Sequence, residues 1–400
     1  MAVTTGLERL IRDKKCQDLI QGNIGILCHS ASVTSQFGFI VDELISLFGT
    51  RVKKLFGPQH GLVTDVQDNM VETDHTVHPY YKLPVYSLYS ETRGPTSEML
   101  SDLDTLIVDL QDVGTRVYTY ISTLTLMMQK AQEFSLKIVV LDRPNPVGGE
   151  MIEGALSQEE WVSFVSQIPG IPMRHSMTMG EVAQWVKKYM APKVELSVIE
   201  MKGWQRSMFF QETGLPWVCP SPNLPTAEGA QVFPGSVLFE GTNISEARGT
   251  TRSLEQIGHP AINPYLFTEH FKSVLKKAGL QGQVIRAVYF YPMFQKHAQQ
   301  SCGGVFIHPV ELSHFRSWAL GQLLLRELYA ELGENFAWND QAYEYETKHL
   351  AIDYINSGPK LRQWVESQGS VEDLFHIEQE KMKEFKQKRE EILIYSHQPA

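Results

Sequence analysis

The stretches LIVD at residues 106–109 and IVVLD at residues 138–142 decide the fold class of this chain. Two similar stretches precede them, IGILC at residues 24–28 and VKKLF at residues 52–56. All four are short and lack strict polar alternation, which is typical of strands buried on both faces of a parallel sheet. Helix-like stretches lie between them, at residues 39–47, 97–102 and 122–134. This alternation predicts βαβ units and an α/β fold.

The second half of the chain predicts a different organisation. After a helix at residues 179–189 and a strand at 194–199, residues 216–258 are rich in Pro, Gly, Ser, Thr and Asn and predict a long ordered loop. The segments predicted beyond it are a helix at 264–278, strands at 284–291 and 304–308, and helices at 313–332 and 371–394. We therefore expect a Rossmann-like parallel-sheet N-terminal domain at 1–254, carrying most site motifs. A smaller α+β C-terminal domain at 255–400 would close the cleft.

Composition narrows the class of partner. The 400 residues contain 36 Lys and Arg against 46 Asp and Glu, which gives a net charge of −10. A nucleic-acid partner is not expected, because such proteins normally carry a basic stripe. An anionic small substrate stays open, since a local pocket can be positive on an acidic protein. The sequence does not indicate an oligomeric state.

Cysteine usage and terminal composition predict the compartment. The four cysteines are far apart and suit a reducing environment: Cys16, Cys28, Cys219 and Cys302. The N-terminal residues lack the apolar core of a signal peptide, and no run of 18 apolar residues predicts a transmembrane span. We expect a cytoplasmic location for the sequence as given, or a periplasmic or secreted one if it is a trimmed mature form.

The common cofactor motifs are missing from the sequence. The first predicted strand is followed by Cys28, His29 and Ser30, where a dinucleotide-binding protein has G-x-G-x-x-G. There is no P-loop, no H-E-x-x-H and no G-x-S-x-G. His75 and His78 could chelate a metal, but their spacing favours a surface pair. We expect no cofactor and no metal.

Polar residues follow three of the predicted parallel strands, where such sheets bind ligands beyond their carboxyl ends. They are Cys28, His29 and Ser30 after the first strand, Asp109 and Asp112 after the third, and Asp142, Arg143 and Asn145 after the fourth, while the second strand runs into Gln59 and His60. Nearby loops add Glu72, Arg116, Tyr118, Glu153, Asn223, Glu240, Asn243, Glu246, Arg248 and Thr250. For a single carboxylate, a helix cap or an arginine partner is the simpler interpretation. The whole set favours a site for a polyhydroxylated substrate, whose glycosidic cleavage needs two carboxyl groups.

Several multi-residue blocks carry a family resemblance. They are GPQHGL (57–62), QDNMVET (67–73), LPVYSLY (83–89), DLQDVGTRVYTYIST (109–123), LDRPNPVGG (141–149), PSPNLPT (220–226) and FPGSVLFEGTNISEARGTTRS (233–253). Together they resemble the NamZ-like exo-β-N-acetylmuramidases, a family of peptidoglycan hydrolases. The resemblance implies hydrolysis of a non-reducing terminal MurNAc-β-1,4-GlcNAc bond in a cleft between two domains, without nucleotide or metal. It implies that Arg143, Asn145, Asn223, Arg248 and Thr250 hold the lactyl carboxylate and the N-acetyl group.

The chain departs from this pattern at Gln59. In relatives we expect G-P-E-H-G, with the glutamate as acid/base, and glutamine cannot donate a proton at neutral pH. Glu72 is the first replacement candidate, followed by Asp109 and Asp112. The alternative is a non-catalytic MurNAc- or muropeptide-binding protein with a degenerate active site.

Overall fold

A computed structural model describes residues 2–67 and 70–395. Residues 68 and 69, inside the motif block 67–73, lie outside the described part. Within that part, the chain forms a seven-stranded sheet and a three-stranded antiparallel sheet. The strands of the large sheet are β1 Ile24–Cys28, β2 Val52–Gly57, β3 Thr76–Val77, β4 Pro84–Ser87, β5 Thr105–Asp109, β6 Lys137–Leu141 and β7 Glu195–Ile199. Those of the small sheet are β8 Gln256–His259, β9 Gln283–Phe290 and β10 Cys302–Pro309.

Helices surround both sheets. In chain order they are α1 Gly6–Arg12, α2 Lys14–Gln17, α3 Ile40–Phe48, α4 Ser97–Leu100, α5 Tyr120–Ala131, α6 Met179–Tyr189, α7 Ala227–Ser236, α8 Pro264–Lys277, α9 Ser317–Leu332, α10 Ala351–Asn356, α11 Lys360–Glu366, α12 Val371–Gln379 and α13 Met382–Glu390. Two sequence predictions are wrong here. Residues 216–258 are not one loop, because they contain α7, a 3₁₀ turn at Val237–Gly241 and the start of β8. The charged tail is two helices, separated at Lys381, whose φ of 57° cannot continue a helix.

The order of the large sheet is β3-β4-β2-β1-β5-β6-β7. All of its pairings are parallel except that of β3 with β4. The chain starts at β1, moves outward through β2 and β4, and then returns to place β5 on the other side of β1. This is the Rossmann-like doubly wound arrangement, with its topological switch point between β1 and β5. The predicted α/β fold with a second, smaller sheet is therefore confirmed.

The central strands are apolar throughout because they are covered on both faces. Side chains alternate between the faces of a strand. Ile26 and Ile107 enter a core with α1 and α3, whereas Leu27 and Val108 enter a larger core that includes α5 and α6. Burial on both faces explains the absence of polar alternation in the sequence.

The C-terminal half packs directly against the site-bearing loops. Helices α7 and α9 cross closely at Gly235 and Gly321, where a Cβ added to Gly321 would lie 2.4 Å from the Gly235 carbonyl oxygen. The domain boundary near residue 255, which falls just before β8, stays a prediction. No helix in the described residues has the length and apolar character needed to cross a membrane.

Candidate active site

A cavity of about 40 Å³ lies where loops from the large sheet meet the segment after α7 and the loop before α10. Its lining residues are Gln59, His60, Val117, Tyr118, Thr119, Val165, Ser221, Leu224, Phe233, Val237, Glu240, Arg248, Leu254, Tyr343 and Glu344. Five of these are predicted site residues, namely Gln59, His60, Tyr118, Glu240 and Arg248. The structure thus brings together residues from the loop after β2, the start of α5 and the block 233–253.

Gln59 is fixed on both sides of its amide. Its Oε1 accepts a hydrogen bond of 2.5 Å from the Thr119 hydroxyl, and its Nε2 donates one of 3.0 Å to Glu344. The neighbouring His60 forms a 2.8 Å contact from Nδ1 to the Val66 carbonyl oxygen. Since a carbonyl only accepts, this nitrogen carries the ring proton. Burial lowers the pKa of His60 to about 4, so the ring is neutral at pH 7.

Glu344 is the acidic residue that sequence reasoning missed. It is 5% exposed, and its second oxygen accepts a hydrogen bond of 2.5 Å from the Tyr89 hydroxyl. No Lys, Arg or His nitrogen of the described residues lies within ion-pair distance of its carboxylate. Burial, reinforced by the charge of Glu240, raises the pKa of Glu344 above its usual value. This carboxyl is therefore suited to carry a proton.

Within the described part of the chain, Glu240, unlike Glu344, has a cationic partner, Arg248. Arg248 bridges two carboxylates, donating from Nη2 to Glu240 and from Nε to Glu246 at 3.0 Å. The Tyr343 hydroxyl also donates to Glu240 at 2.8 Å, and Lys296 Nζ lies 2.8 Å from Glu246. Two cations therefore face two buried carboxylates. Glu240 is therefore held by a charge-assisted hydrogen bond from Arg248 and by a phenolic hydroxyl.

Asp112 lies behind the cavity rather than in its lining. Its Oδ2 accepts a 2.7 Å hydrogen bond from the Gly114 backbone N–H, while Oδ1 has no hydrogen-bond partner in the described residues. Nε2 of His175 lies 3.8 Å from Oδ2, and burial lowers the pKa of that histidine to about 3. Burial raises the pKa of Asp112 to about 7. Among the residues that the structure describes, this buried acid has no Lys or Arg partner.

The predicted residues at the ends of β5 and β6 form hydrogen bonds and an ion pair that stabilise the loops after these strands. Asp109 is fully buried and binds Arg143 through both oxygens. Asp142 accepts hydrogen bonds of 2.8 Å from the Gly180 backbone and the Thr178 hydroxyl at the start of α6. Asn145 donates to the Met177 carbonyl at 2.9 Å and accepts from the Val147 backbone N–H. None of these predicted residues is among those lining the cavity.

The remaining predicted residues are not among those lining the cavity. Arg116 donates to three backbone carbonyls, including that of Ile355, and so ties the segment between β5 and α5 to α10. Glu153 pairs with Arg174 inside the protein. Asn223 donates to the Gln67 carbonyl, Asn243 to the Asn335 carbonyl and Thr250 to the Ala247 carbonyl. Glu72 is half exposed and pairs with Arg93 and the Tyr345 hydroxyl.

Sequence reasoning missed Thr119, Tyr89, Tyr343 and Glu344. Thr119 lies inside the quoted block 109–123, so its position beside Tyr118 was a usable signal. Glu344 is flanked by two tyrosines in a loop far from the motif blocks, and its proximity to Gln59 exists only in the folded chain. Its backbone φ of 48° is likewise not evident from the sequence.

The fold and this cavity define a two-domain α/β protein with an acidic, hydrogen-bonding cleft, the kind of site used for carbohydrate chemistry. The family models that match are "Exo-beta-N-acetylmuramidase NamZ, N-terminal" at residues 24–228 and "Exo-beta-N-acetylmuramidase NamZ, C-terminal" at residues 231–395. The chain belongs to the exo-β-N-acetylmuramidase NamZ family. The resemblance carried by the motif blocks is thereby confirmed, and with it the glycosidase class.

Individual relatives agree with this assignment. The chain is 37% identical over 393 residues to the peptidoglycan β-N-acetylmuramidase NamZ of Bacillus subtilis strain 168, covering 98% of this chain and 91% of the relative. A DUF1343 family protein of Bacteroides fragilis superposes with a TM-score of 0.86 at 27% identity, covering 99% of each chain. A second one from the same species, at 24% identity and a TM-score of 0.73, covers 100% of each chain and supports the fold.

Proposed function

We propose that this chain hydrolyses the terminal MurNAc-β-1,4-GlcNAc bond at the non-reducing end of peptidoglycan fragments and releases N-acetylmuramic acid. The support is membership of the exo-β-N-acetylmuramidase family together with the Bacillus relative, whose name gives peptidoglycan as its substrate.

The observation that carries the proposal is a pair of unlike carboxyl groups in one cavity. Glu240 is bound by Arg248, whereas Glu344 accepts hydrogen bonds from the neutral donors Gln59 and Tyr89. Glycosidases need one carboxyl that holds a proton and one that is ionised, and they create the difference by environment. The two buried glutamates of this cavity differ in environment, since one is bound by a guanidinium and the other by neutral donors.

Arg248 and Tyr118 supply the binding side of the proposal. The lactyl group gives muramic acid a carboxylate that N-acetylglucosamine lacks, and Arg248 is the cationic residue among those lining the cavity. A guanidinium binds a carboxylate in a bidentate manner, which gives direction as well as charge. The Tyr118 ring offers an apolar face to a sugar ring.

The test is direct incubation with the disaccharide MurNAc-β-1,4-GlcNAc, followed by mass spectrometry of the products. We expect free N-acetylmuramic acid and N-acetylglucosamine in equal amounts. The matched control is the reversed disaccharide GlcNAc-β-1,4-MurNAc, which presents no terminal muramic acid and should stay intact. Cleavage of both, or of neither, would overturn the proposal.

The second candidate function is binding without cleavage, and it is favoured by one observation, the amide of Gln59 in the cavity. Calorimetric titration with the disaccharide separates the two functions. Saturable binding without any released sugar would identify a muropeptide-binding protein, whereas binding followed by turnover supports the hydrolase.

A further inference from the structure

Two glutamates line the cavity, and their partners differ in charge. Glu240 is held by a guanidinium and by the Tyr343 hydroxyl. The two oxygens of Glu344 accept from the Gln59 amide at 3.0 Å and from the Tyr89 hydroxyl at 2.5 Å. Glu240 therefore forms an ion pair with Arg248, whereas Glu344 is bound by neutral donors.

The other acidic candidates are less suited to reach a substrate. Asp109 uses both oxygens on Arg143 and is 0% exposed. Asp112 lies outside the cavity lining, and Glu72 is exposed and paired with Arg93. Glu344 thus combines access to the cavity with the absence of a cationic partner among the described residues.

The backbone at Glu344 supports a functional position. Glu344 and Tyr345 have φ values of 48° and 71°, in the left-handed region that residues with a side chain rarely adopt. Such strained backbone conformations concentrate at active sites. The hydrogen bonds from Gln59 and Tyr89 hold the Glu344 carboxyl in the position that this backbone gives it.

We propose that Glu344 is the general acid of this chain and that Gln59 is its positioning residue, an assignment that rests on the proposed hydrolysis. In the reaction, the Glu344 carboxyl gives its proton to the glycosidic oxygen as the bond between that oxygen and C1 of muramic acid breaks. N-acetylglucosamine leaves as a neutral alcohol. Water adds its oxygen to C1, and the proton that it releases restores the acid form of the enzyme.

Gln59 suits a positioning role because its amide orientation is fixed. The Thr119 hydroxyl occupies Oε1, so the Nε2 donor is directed at Glu344. A glutamine donates a hydrogen bond without adding a charge, so it orients the carboxyl while leaving it protonatable. A glutamate at position 59 would instead place a second acid at that distance.

The groups around Glu344 act on its pKa in both directions. Burial and Glu240 favour its protonated form, while Tyr89, Gln59 and Arg93 favour the ionised one, and the pKa is raised on balance. Arg93 lies over the rings of Tyr89 and Tyr345 and pairs with Glu72, so its charge is shared.

The test compares two substrates that differ in their need for an acid. 4-Nitrophenolate is a good leaving group and departs without being protonated. A sugar leaving group must receive a proton on the glycosidic oxygen. For Glu344→Gln we expect kcat/KM on MurNAc-β-1,4-GlcNAc to fall by about 10²–10⁴-fold, and on 4-nitrophenyl β-MurNAc by less than about tenfold. The alkaline limb of the pH profile with the disaccharide should disappear as well. The matched control is Glu334→Gln, an exposed glutamate in the same half of the chain, which should behave like the wild type.

Each outcome decides one question. A wild-type protein that cleaves neither substrate removes the proposed function itself. A wild type that is active, with Glu344→Gln unchanged or equally impaired on both substrates at an unchanged Tm, overturns only the assignment of Glu344. If Glu344→Gln melts lower than the wild type, Glu344→Asn replaces it, because asparagine tolerates the left-handed backbone. The same substrate contrast is then required of Glu344→Asn, and its absence contradicts the assignment.

Discussion

The side-chain amide of Gln59 donates a hydrogen bond of 3.0 Å to the carboxylate of Glu344, 285 residues further along the chain. This contact joins the loop after β2 to the loop before α10 across the cavity. It places a carboxyl beside the position where the family resemblance led us to expect a glutamate. The site therefore retains an acid, although a different segment of the chain supplies it.

Replacing Gln59 with glutamate should move the pH dependence upward. Two carboxyls 3.0 Å apart disfavour simultaneous ionisation, so the pair keeps one proton to a higher pH. We expect the alkaline limb of kcat/KM for Gln59→Glu to lie at least about one pH unit above that of the wild type. Glu334→Gln serves as the control. A limb that stays in place or moves downward would show that Glu344 is not the titrating group.

Asp112 should make the protein less stable as the pH rises. Burial raises its pKa from 3.8 to about 7 in the folded state, so the folded protein binds more protons than the unfolded chain between pH 4 and 7. The unfolding free energy should fall over that window by up to about 4 kcal/mol. Asp112→Asn keeps an acceptor for Gly114 and should remove this contribution. Urea unfolding at pH 5 and pH 8 measures the difference, and equal slopes for variant and wild type would contradict the prediction.

The buried pair of Asp109 and Arg143 should be a strong determinant of stability. Asp109→Ala leaves the guanidinium of Arg143 buried without its partner, which costs about 3–5 kcal/mol. The exposed pair of Lys14 and Asp18 provides the control, because Asp18→Ala should cost less than about 1 kcal/mol. Chemical denaturation measures both. Similar losses for the two variants would mean that Asp109 does not hold the end of β5.

Arg248 should determine the preference for muramic acid. Lysine cannot reproduce the bridge to Glu240 and Glu246, since its ammonium is a single point charge. For Arg248→Lys we expect the ratio of kcat/KM between the 4-nitrophenyl glycosides of MurNAc and GlcNAc to fall by about tenfold or more. The same ratio in Glu334→Gln provides the reference. A preference that survives in Arg248→Lys would move the lactyl-binding role to another residue.

The large sheet was predictable because its strands carry local signals. Four apolar stretches buried on both faces and separated by helices led directly to the parallel sheet. Residues 216–258 misled the prediction, because α7 contains Gly229, Pro234 and Gly235 and is stabilised by packing against α9 rather than by helix propensity. In the C-terminal tail, the charge pattern continues through Lys381, so the sequence did not indicate that one helix ends and another begins there.

The candidate site was predictable only in part. Gln59, His60, Tyr118, Glu240 and Arg248 line the cavity because the motif blocks that contain them converge at one edge of the sheet. Glu344 has no comparable signal, since its role depends on burial and on a neighbour distant in sequence. Carboxylates alone do not distinguish a general acid from half of a buried ion pair, as the contacts of Asp109 illustrate.

The role of Glu344 is tested most directly by a crystal structure of the protein with N-acetylmuramic acid bound. We expect the sugar in the cavity lined by Gln59 and Arg248, with its anomeric oxygen within hydrogen-bond reach of Glu344, about 2.6–3.2 Å. Its lactyl carboxylate should contact Arg248. Two results would contradict this role of Glu344. One is a sugar bound in the larger groove between α6, α11 and α13. The other is a sugar whose anomeric centre lies out of reach of Glu344.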